Sequence, residues 1–477
     1  AEVSICYSGD VMDKNSKYNI GYYTDMVKAV EDSGAHIIAI KDMAGLLKPL
    51  AAEYLITELK NHTELPIHLH THDTSSIQSA TYLKAIDAGV DVVDVALSAL
   101  SGLTSQPNFN SIVAMMEGHG RSGNIDLKNL NRYSNYWEDV RKYYYPFETE
   151  LKAGTAEVYD HEIPGGQYSN LRPQARSMGL EDQFDVIKKN YADVNEMMGG
   201  MVKVTPSSKV VGDMAMFMTA NGLDIEDVKK KGSSLAYPDS MISMMKGELG
   251  QRSEGWPKEF QEAVLKNATA FTDKPNAHLD PIDFDKEFPL FQERFPEKDS
   301  YLDFLSYSLY PKVFEDYYTH LEEFGNTEML PTACFFYGLK PNNEITVSIA
   351  RGKNILIEFL NTNEASADGT RLVIFRINGA IRSVLVKDEA VKSEVSVHVK
   401  ANGEGQIGSP LQGSLSKVVV KEGQPVVKND PLFVIEAMKM ESTITAPYAG
   451  VIKRVHLSNK TMVKQDDLVV EIEKTGE

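Results

Sequence analysis

The sequence contains only two cysteines in 477 residues, Cys6 and Cys334. Two cysteines cannot build a framework of several disulfide bonds, so we expect a reducing compartment. No apolar run reaches the length of about 20 residues that a membrane-spanning helix needs. Basic residues are also in deficit, because 68 acidic and 49 basic side chains give a formal net charge of −19. Nucleic acids and anionic membranes are themselves negative, so we expect neither as a partner.

The composition, with 42% hydrophobic and 25% charged residues, is that of an ordinary globular protein. A chain of 477 residues exceeds what one hydrophobic core supports, and we expect three or four domains. No signal peptide is visible, because the first residues have the character of a strand. A mature protein rarely begins inside a core strand, so we expect the chain to start partway through a larger polypeptide.

Four short apolar runs, each followed by an amphipathic helical pattern, occupy residues 1–123. Strands that alternate with helices predict a parallel sheet. The spacing suits either a doubly wound sheet or a (β/α) barrel, and four units are half of an eight-stranded barrel. A complete small α/β domain is the plainer interpretation. We favour a partial (β/α) barrel, because no strand precedes the first one.

The remaining chain changes character three times. Residues 124–335 carry mostly helical patterns, and their methionine-rich stretches are expected to fill the core. Residues 336–390 alternate apolar and polar side chains between turn signals, which predicts a small antiparallel β domain. Residues 391–408 are predicted to be a flexible linker, since Lys400 to Ser409 is rich in glycine and polar residues.

The last predicted domain, residues 409–475, contains an internal repeat. A shift of 37 residues superimposes Pro410 on Pro447 and Gly413 on Gly450, and similar matches continue to its end. Repeated short strands predict two interlocked halves of a flattened β-barrel. Lys439 follows the first half, and we expect it on the connecting hairpin with its amine accessible.

Lys439 stands in the run Ala437-Met438-Lys439-Met440. Most lysines are ordinary surface residues, but the repeat and the two flanking methionines argue against that here. The run resembles the Ala-Met-Lys-Met signature of biotin carboxyl carrier domains, whereas the related lipoyl carriers usually place aspartate before the lysine. We therefore predict that a biotin ligase attaches biotin to Lys439. A flexible linker before this domain would extend the reach of the biotin.

Three histidines, His68, His70 and His72, alternate at the end of the third predicted strand. Alternate residues of a strand point to the same side, so His70 and His72 can bind one metal ion at the C-terminal end of a barrel strand. A hydrogen-bonded histidine pair is the alternative. Three alternating histidines favour a metal. Lys41 ends the preceding strand.

Taken together, the chain resembles the pyruvate carboxylase family over nearly its whole length, in the order carboxyltransferase, small β domain, biotin carrier. The runs that carry this resemblance are Lys41-Asp42-Met43-Ala44-Gly45, His70-Thr71-His72-Asp73, Ile163-Pro164-Gly165-Gly166-Gln167-Tyr168, Thr205-Pro206-Ser207-Ser208-Lys209 and Phe335-Phe336-Tyr337-Gly338. The resemblance implies transfer of a carboxyl group to pyruvate from carboxybiotin, which a partner domain makes with ATP. It also implies a homotetramer assembled through the small β domain.

The resemblance also implies roles for single residues. A carboxylated Lys41 would bind a divalent metal ion (manganese, zinc or similar) together with His70 and His72. A carbamate oxygen suits a divalent ion among histidines, although its formation requires a neutral amine. Thr205 would move a proton between pyruvate and biotin, and Ser208 and Lys209 would lie near the biotin ring. Thr205 before a proline is also typical of a helix N-cap, and both roles are compatible.

Two family features are missing from the sequence: an upstream Asp-Thr-Thr-x-Arg-Asp run, whose aspartate completes the metal site, and an ATP-binding biotin carboxylase domain. We therefore expect a fragment that cannot make carboxybiotin alone. An oxaloacetate decarboxylase or transcarboxylase subunit is one alternative, and a non-catalytic carrier and assembly module is another. The predicted β domain favours pyruvate carboxylase. The expected location is the cytoplasm of a bacterium or the mitochondrial matrix of a eukaryote.

Overall fold

The computed structural model describes residues 1–296, 298, 300–366, 369–388, 398–403, 405–437 and 440–474. The chain divides into two units. One consists of Ala1–Ala277 together with His398–Glu477, and the other is His278–Val397. Within the described residues, no helix combines the length and apolar character needed to cross a membrane.

The first unit begins with a four-stranded parallel sheet whose strands lie side by side in chain order, which confirms the predicted parallel sheet. The strands are β1 (Glu2–Cys6), β2 (Ile37–Asp42), β3 (Ile67–Thr71) and β4 (Val92–Val93), and the helices are α1 (Ile20–Asp32), α2 (Pro49–His62), α3 (Gln78–Asp87) and α4 (Phe109–Met115). These strands and helices pack around one apolar core. Strands β1 and β4 are the edges of this sheet, which is open among the described residues.

Two elements of this region differ from the sequence pattern. Helix α2 begins at Pro49 rather than near Leu46, because the carboxylate of Asp42 accepts hydrogen bonds from the backbone N–H groups of residues 44–47 and holds them in a loop. Strand β4 is only two residues long, although the apolar run extends to Ala96. The backbone of Ala96 pairs instead with the loop at Pro107 and Asn108.

Helices follow the sheet in the same unit. They are α5 (Leu127–Arg141), α6 (Val158–His161), α7 (Gly165–Ser177), α8 (Phe184–Met197), α9 (Ser207–Ala220), α10 (Ile225–Lys231), α11 (Asp239–Lys246) and α12 (Lys258–Leu265). Several begin at a side-chain cap, such as Asp126 before α5 and the capping box of Asp224 and Asp227 before α10. The methionines predicted to fill the core are confirmed there, since Met198, Met201, Met214, Met216 and Met218 are buried.

The second unit contains helices and an antiparallel meander. Its elements are α13 (Phe284–Arg294), α14 (Tyr301–Leu309), α15 (Pro311–Phe324), α16 (Thr332–Tyr337), β5 (Glu344–Ala350), β6 (Lys353–Thr362), β7 (Thr370–Ile377) and β8 (Ala380–Lys387). Buried aromatic rings form the core of the helical part. The four strands pair in chain order, which confirms the predicted antiparallel β structure.

The C-terminal region contains two four-stranded sheets built from both halves of the repeat. Its strands are β9 (Gln406–Gly408), β10 (Gly413–Val418), β11 (Pro425–Val426), β12 (Pro431–Ala437), β13 (Met440–Thr445), β14 (Gly450–Val455), β15 (Met462–Val463) and β16 (Leu468–Lys474). Strands β10, β11 and β12 recur as β14, β15 and β16. Each sheet contains two strands from each half, in the orders β13-β12-β10-β15 and β11-β14-β16-β9. The prediction of interlocked halves is confirmed.

The predicted linker, residues 391–408, is wrong in its last part. Gln406–Gly408 is a strand that pairs with β16. Lys400 forms an ion pair of 2.9 Å with the buried Asp467, and their backbones form a bridge. The backbone N–H and C=O groups along the edge of β16 are unpaired without a neighbouring strand, and the backbone of Gln406–Gly408 pairs with them.

Candidate active site

Lys41 lies in the middle of a row that crosses the parallel sheet near the C-terminal ends of its strands. Its neighbours in register are Cys6 on β1 and His70 on β3. Partners in a parallel sheet project from the same face, so this register brings the predicted metal ligands Lys41 and His70 together. The positive charge of Lys41 is one of the influences that lower the pKa of the third predicted ligand, His72, after the larger effect of burial.

The two predicted histidine ligands face each other through their Nε2 atoms, 3.4 Å apart. His70 Nδ1 lies 2.7 Å from a carboxylate oxygen of Asp94, and His72 Nδ1 lies 2.6 Å from the carbonyl oxygen of Thr104. Both partners accept hydrogen bonds, so each Nδ1 carries the proton and donates. Each Nε2 therefore presents a lone pair to its neighbour, which is the tautomer that metal ligation through Nε2 requires.

Asp94 was not found from the sequence, although it holds two of the three histidines. Its carboxylate lies 2.7 Å from His70 Nδ1 and 2.9 Å from His68 Nε2. Burial raises the pKa of Asp94, but the hydrogen bonds of His70 and His68 outweigh this effect and leave it lowered. The available signal was its position directly after β4, because functional residues of (β/α) folds cluster at strand ends.

The donor set fits a divalent ion only if Lys41 contributes an oxygen. Among the described residues, no group of three histidine, cysteine, aspartate or glutamate side chains is arranged to hold a metal. Two nitrogen ligands about 2.05 Å from a tetrahedral ion lie roughly 3.3 Å apart, which matches the separation of the two Nε2 atoms. Carboxylation would convert Lys41 from a competing cation into an anionic oxygen ligand.

We expect His70→Ala, in the full-length enzyme, to reduce the bound divalent metal from about one ion per chain to less than about a tenth of that. Elemental analysis after gel filtration measures this directly. His68→Ala is the matched control, since His68 lies on the same strand and its Nε2 lies 2.9 Å from Asp94, but it is not a predicted ligand. Equal metal content in both variants would contradict the assignment.

The loop after β2 is fixed around the metal candidates by Asp42, which is fully buried. Besides the loop amides, its carboxylate accepts a hydrogen bond of 3.0 Å from Thr71 Oγ1 on β3. Gly45 in this loop has φ +78°, and a Cβ atom there would lie 2.2 Å from the carbonyl oxygen of His72. Only glycine fits this position, so the loop can close directly against the histidine strand.

The run from Thr205 to Lys209 leads into helix α9. Pro206 is the N-cap of this helix and Ser207 its first residue, so the N-cap interpretation of Thr205 is wrong. Ser207 closes the turn instead, because its hydroxyl accepts a hydrogen bond from the N–H of Val204 at 3.0 Å and donates one to Val202 at 2.8 Å. Thr205 itself is exposed.

The two residues predicted to lie near biotin differ in their surroundings. Ser208 is buried, and its carbonyl oxygen accepts a hydrogen bond from the hydroxyl of Tyr191. Lys209 is half-exposed, and its ammonium group lies 2.6 Å from the buried carboxylate of Asp213. Burial raises the pKa of Asp213, and Lys209 and Ser240 oppose that rise. Asp213, which sequence patterns did not indicate, thus fixes the direction of the Lys209 side chain.

Helix α7 packs closely against both His72, which follows β3, and helix α9. A Cβ atom at Gly165 would lie 2.7 Å from His72 Nδ1, and one at Gly212 of α9 would lie 2.5 Å from Gln167 Nε2. The first turn of α7 therefore contacts both regions. The motif from Ile163 to Tyr168 therefore lies between the predicted metal ligands and the helix that begins after Thr205.

His161, just before this motif, is buried. Its Nδ1 accepts a hydrogen bond from the N–H of Ile163, so its proton is on Nε2, which has no hydrogen-bond partner among the described residues. Burial lowers the pKa of His161 to about 4, with a further contribution from the charge of Lys188. The ring stacks on Tyr168 at 5.5 Å.

We expect His161 to make unfolding strongly dependent on pH. Its pKa is about 4 when folded and about 6.5 when unfolded, so the unfolded chain binds more protons between these values. The free energy of unfolding therefore falls as pH falls, by about 2 kcal/mol between pH 7 and pH 5 from this group. Urea unfolding at both pH values measures this fall in the free energy of unfolding, which should be smaller in His161→Gln than in the unmodified protein. An equal fall in both proteins would show that His161 is not its source.

Lys439 lies outside the described residues. Strands β12 and β13 pair antiparallel on either side of it, and their last register pair is Ala437 with Met440. The predicted position between two paired strands is therefore consistent with the flanking structure, and the attachment of biotin stays a prediction.

Comparison with known proteins shows which family the chain is similar to. Residues 10–136 match the family described as HMGL-like, residues 158–358 the conserved carboxylase domain, and residues 405–472 the family described as biotin-requiring enzyme. Pyruvate carboxylase of Bacillus subtilis is 46% identical over 99% of this chain. This chain belongs to the pyruvate carboxylase family. Mitochondrial pyruvate carboxylase of Homo sapiens is 40% identical over 99% of the chain.

The chain spans only part of these relatives, 42% of the Bacillus protein and 41% of the human one. The carboxyl transferase domain of Rhizobium etli pyruvate carboxylase has a TM-score of 0.75 and 45% identity, and the match covers 81% of this chain and 65% of that domain. The same domain solved with pyruvate and biocytin matches equally well. The family and the carboxyl transferase fold predicted from sequence are thus confirmed.

Proposed function

We propose that this chain transfers a carboxyl group from carboxybiotin to pyruvate, giving oxaloacetate, as part of an ATP-dependent pyruvate carboxylase. The observation that carries the proposal is the pair of facing Nε2 atoms of His70 and His72, with Lys41 beside His70 in register, on the carboxyl transferase fold. A non-catalytic biotin carrier and assembly module would have no use for such an arrangement, which argues against that alternative.

In this proposal, His70, His72 and a carboxylated Lys41 hold a divalent ion, which would polarise the pyruvate carbonyl when bound. Asp94 and the carbonyl of Thr104 orient the two imidazoles by accepting their Nδ1 protons. Asp42 keeps the loop after Lys41 closed through its backbone hydrogen bonds. The roles of Asp94, Thr104 and Asp42 are therefore ones of positioning.

Thr205 moves the proton. Its hydroxyl donates one proton and accepts another, so it can take the proton that leaves the methyl carbon of pyruvate and deliver it to the biotin nitrogen that loses the carboxyl group. The exposure of Thr205 and its separation from any capping role leave the hydroxyl available. Lys209, held by Asp213, and Ser208 would border the biotin ring.

The domain assignments follow the same proposal: residues 1–123 and 124–335 form the carboxyltransferase, residues 336–390 the tetramerisation domain, and residues 409–475 the biotin carrier. Strand β8 supports assembly through the small β domain, because it is exposed along its whole length and carries apolar side chains. Ile381 is 67% exposed and Leu385 is 64% exposed. An exposed apolar edge strand calls for a partner, and a homotetramer provides one.

A decarboxylase or transcarboxylase subunit remains the alternative, since such enzymes also join a carboxyltransferase to a carrier. The small β domain and the 46% identity to a named pyruvate carboxylase favour the first function. The compartment would follow the source, as cytoplasm for a bacterial protein or mitochondrial matrix for a eukaryotic one.

The test uses the full-length enzyme loaded with labelled carboxyl groups from ATP and bicarbonate. We expect pyruvate to discharge the carrier and labelled oxaloacetate to appear, while propionyl-CoA leaves the carrier loaded. Discharge by propionyl-CoA as well as by pyruvate would indicate a transcarboxylase. A carrier that no acceptor discharges would contradict any carboxyl-transfer function.

A further inference from the structure

The C-terminal β region packs against the helical part of its own unit. Met178 and Ala236 lie against the apolar core of the β region, and helix α11 contacts strand β13. One repulsive pair is also present, because burial and the charge of Lys428 lower the pKa of Lys266. The contact thus combines a small apolar patch with a local repulsion, which suits a surface that binds and releases.

The most specific contact joins Asp239 to Thr443. Both carboxylate oxygens of Asp239 lie close to Thr443 Oγ1, at 2.8 and 2.9 Å. The hydroxyl has one proton and donates it to either oxygen. Both side chains are partly buried at this contact, and a hydrogen bond to a charged acceptor away from bulk water is stronger than a neutral one. This bond joins segments 204 residues apart.

The backbone adds a second connection at the same place. Strand β13 is the edge of its sheet, and Ser442 forms an antiparallel bridge with Pro238. Exposed edges of this kind recruit backbone partners. The residues before α11 therefore cover the edge of β13, the strand that follows Lys439 in the chain. Four residues of extended chain span at most about 14 Å, so this contact lies close in sequence and reach to the predicted attachment point.

Asp239 is also connected to the proposed biotin pocket through its neighbour. Ser240 Oγ donates a hydrogen bond of 2.7 Å to a carboxylate oxygen of Asp213, and the same oxygen lies 2.6 Å from the ammonium group of Lys209. The start of α11 therefore touches the carrier on one side and the support of Lys209 on the other. A shift of α11 would therefore move both the contact with the carrier and the side chain of Asp213 that holds Lys209.

We propose that Asp239 is a positioning residue for carboxyl transfer: its carboxylate binds Thr443 and seats the edge strand of the carrier beside Lys209. This inference rests on the proposed function for its catalytic meaning. The contact itself, in which Pro238 and Asp239 meet Ser442 and Thr443 and which we call the seat, is measured independently of activity. The carrier leaves it to be recarboxylated and returns to it to deliver the carboxyl group. The hydrogen bond selects one register for the returning strand.

The first experiment measures the seat without reference to activity. Bridge partners have Cα atoms about 4.5–5.5 Å apart, within the range that a disulfide spans. In the full-length enzyme, Pro238→Cys combined with Ser442→Cys is expected to form a disulfide within one chain under mild oxidation, detected by peptide mass spectrometry. Pro238→Cys combined with Thr445→Cys is the control. Failure of the first pair to link, or equal linking of both pairs, overturns the seat.

The second experiment tests the role of the hydrogen bond. Thr443→Val keeps the shape of the side chain and removes the hydroxyl, and Thr445→Val makes the same change two residues away on the same strand. We expect Thr443→Val to slow disulfide formation and pyruvate-dependent discharge of the carrier each about tenfold, while carboxylation of the carrier by ATP and bicarbonate is unchanged. Thr445→Val should alter none of these rates.

The outcomes separate the two proposals. Slow linking with normal discharge in Thr443→Val overturns the positioning role of Asp239. Normal linking in Thr443→Val overturns the hydrogen bond as the element that holds the seat. If pyruvate fails to discharge even the unmodified enzyme, the proposed function fails, while the linking rates still decide whether the seat exists.

Discussion

Replacement of Lys439 by arginine is expected to abolish biotin attachment completely and, with it, all carboxylation of pyruvate. Arginine keeps the positive charge and a similar length, but its guanidinium is a poor nucleophile and does not form the amide that a biotin ligase makes with a lysine amine. The expected result on a streptavidin blot of the full-length enzyme is the loss of all signal. Mass spectrometry of the intact chain should show the loss of one biotin.

Lys428→Arg is the matched control, because Lys428 is an exposed lysine in the same C-terminal region. Its blot should be indistinguishable from that of the unmodified enzyme. A Lys439→Arg enzyme that still binds streptavidin would show that biotin is attached elsewhere. The same mass spectrum tests a second modification, since a carboxylated Lys41 adds the mass of carbon dioxide in gentle ionisation.

The features that sequence predicted best are those set by local periodicity and repetition. The order of strands and helices up to α4 follows from apolar runs separated by amphipathic patterns. The C-terminal repeat gave the interlocked sheets, because each strand of the first half recurs 37 residues later, as Gly413–Val418 recurs in Gly450–Val455. In both cases the information lies within a few tens of residues, where side-chain periodicity determines which face is buried.

The features that sequence missed depend on pairs of residues far apart in the chain. Asp94 meets His68 and His70 because the parallel register continues from β3 to β4. Asp213 meets Ser240 only because α9 and α11 pack together. The linker prediction failed at Gln406–Gly408 for the same reason. Its composition is typical of a flexible segment, but the free edge of β16, 60 residues on, gives it a partner.

The geometry around Thr205 also changes what its replacement should do. A threonine that caps a helix would cost about 1 kcal/mol of stability when replaced by alanine. Helix α9 is instead capped at Pro206, and the turn is closed by the hydroxyl of Ser207. Thr205→Ala should therefore leave the melting temperature nearly unchanged, and Ser207→Ala should lower it. The two neighbouring hydroxyls separate structural from chemical effects.

For catalysis we expect the opposite order. Thr205→Ala removes the only side-chain hydroxyl proposed to carry the proton between pyruvate and biotin, and loss of a general acid–base group typically costs a factor of about 10² to 10⁴ in rate. The rate of pyruvate carboxylation by the full-length enzyme should fall by at least about a hundredfold. Carboxylation of biotin from ATP and bicarbonate should survive, because that step takes place in another domain.

Thr205→Ser provides the rescue that completes the argument. Serine restores the hydroxyl but lacks the methyl group that restricts its rotamers, so partial recovery of the carboxylation rate is expected. Recovery by serine with an unchanged melting temperature means that the hydroxyl acts in the chemistry. If Thr205→Ala carboxylates pyruvate at a near wild-type rate, the proton must travel by another route. In that event the polar groups fixed nearby, Lys209 and Asp213 among them, become the residues to test.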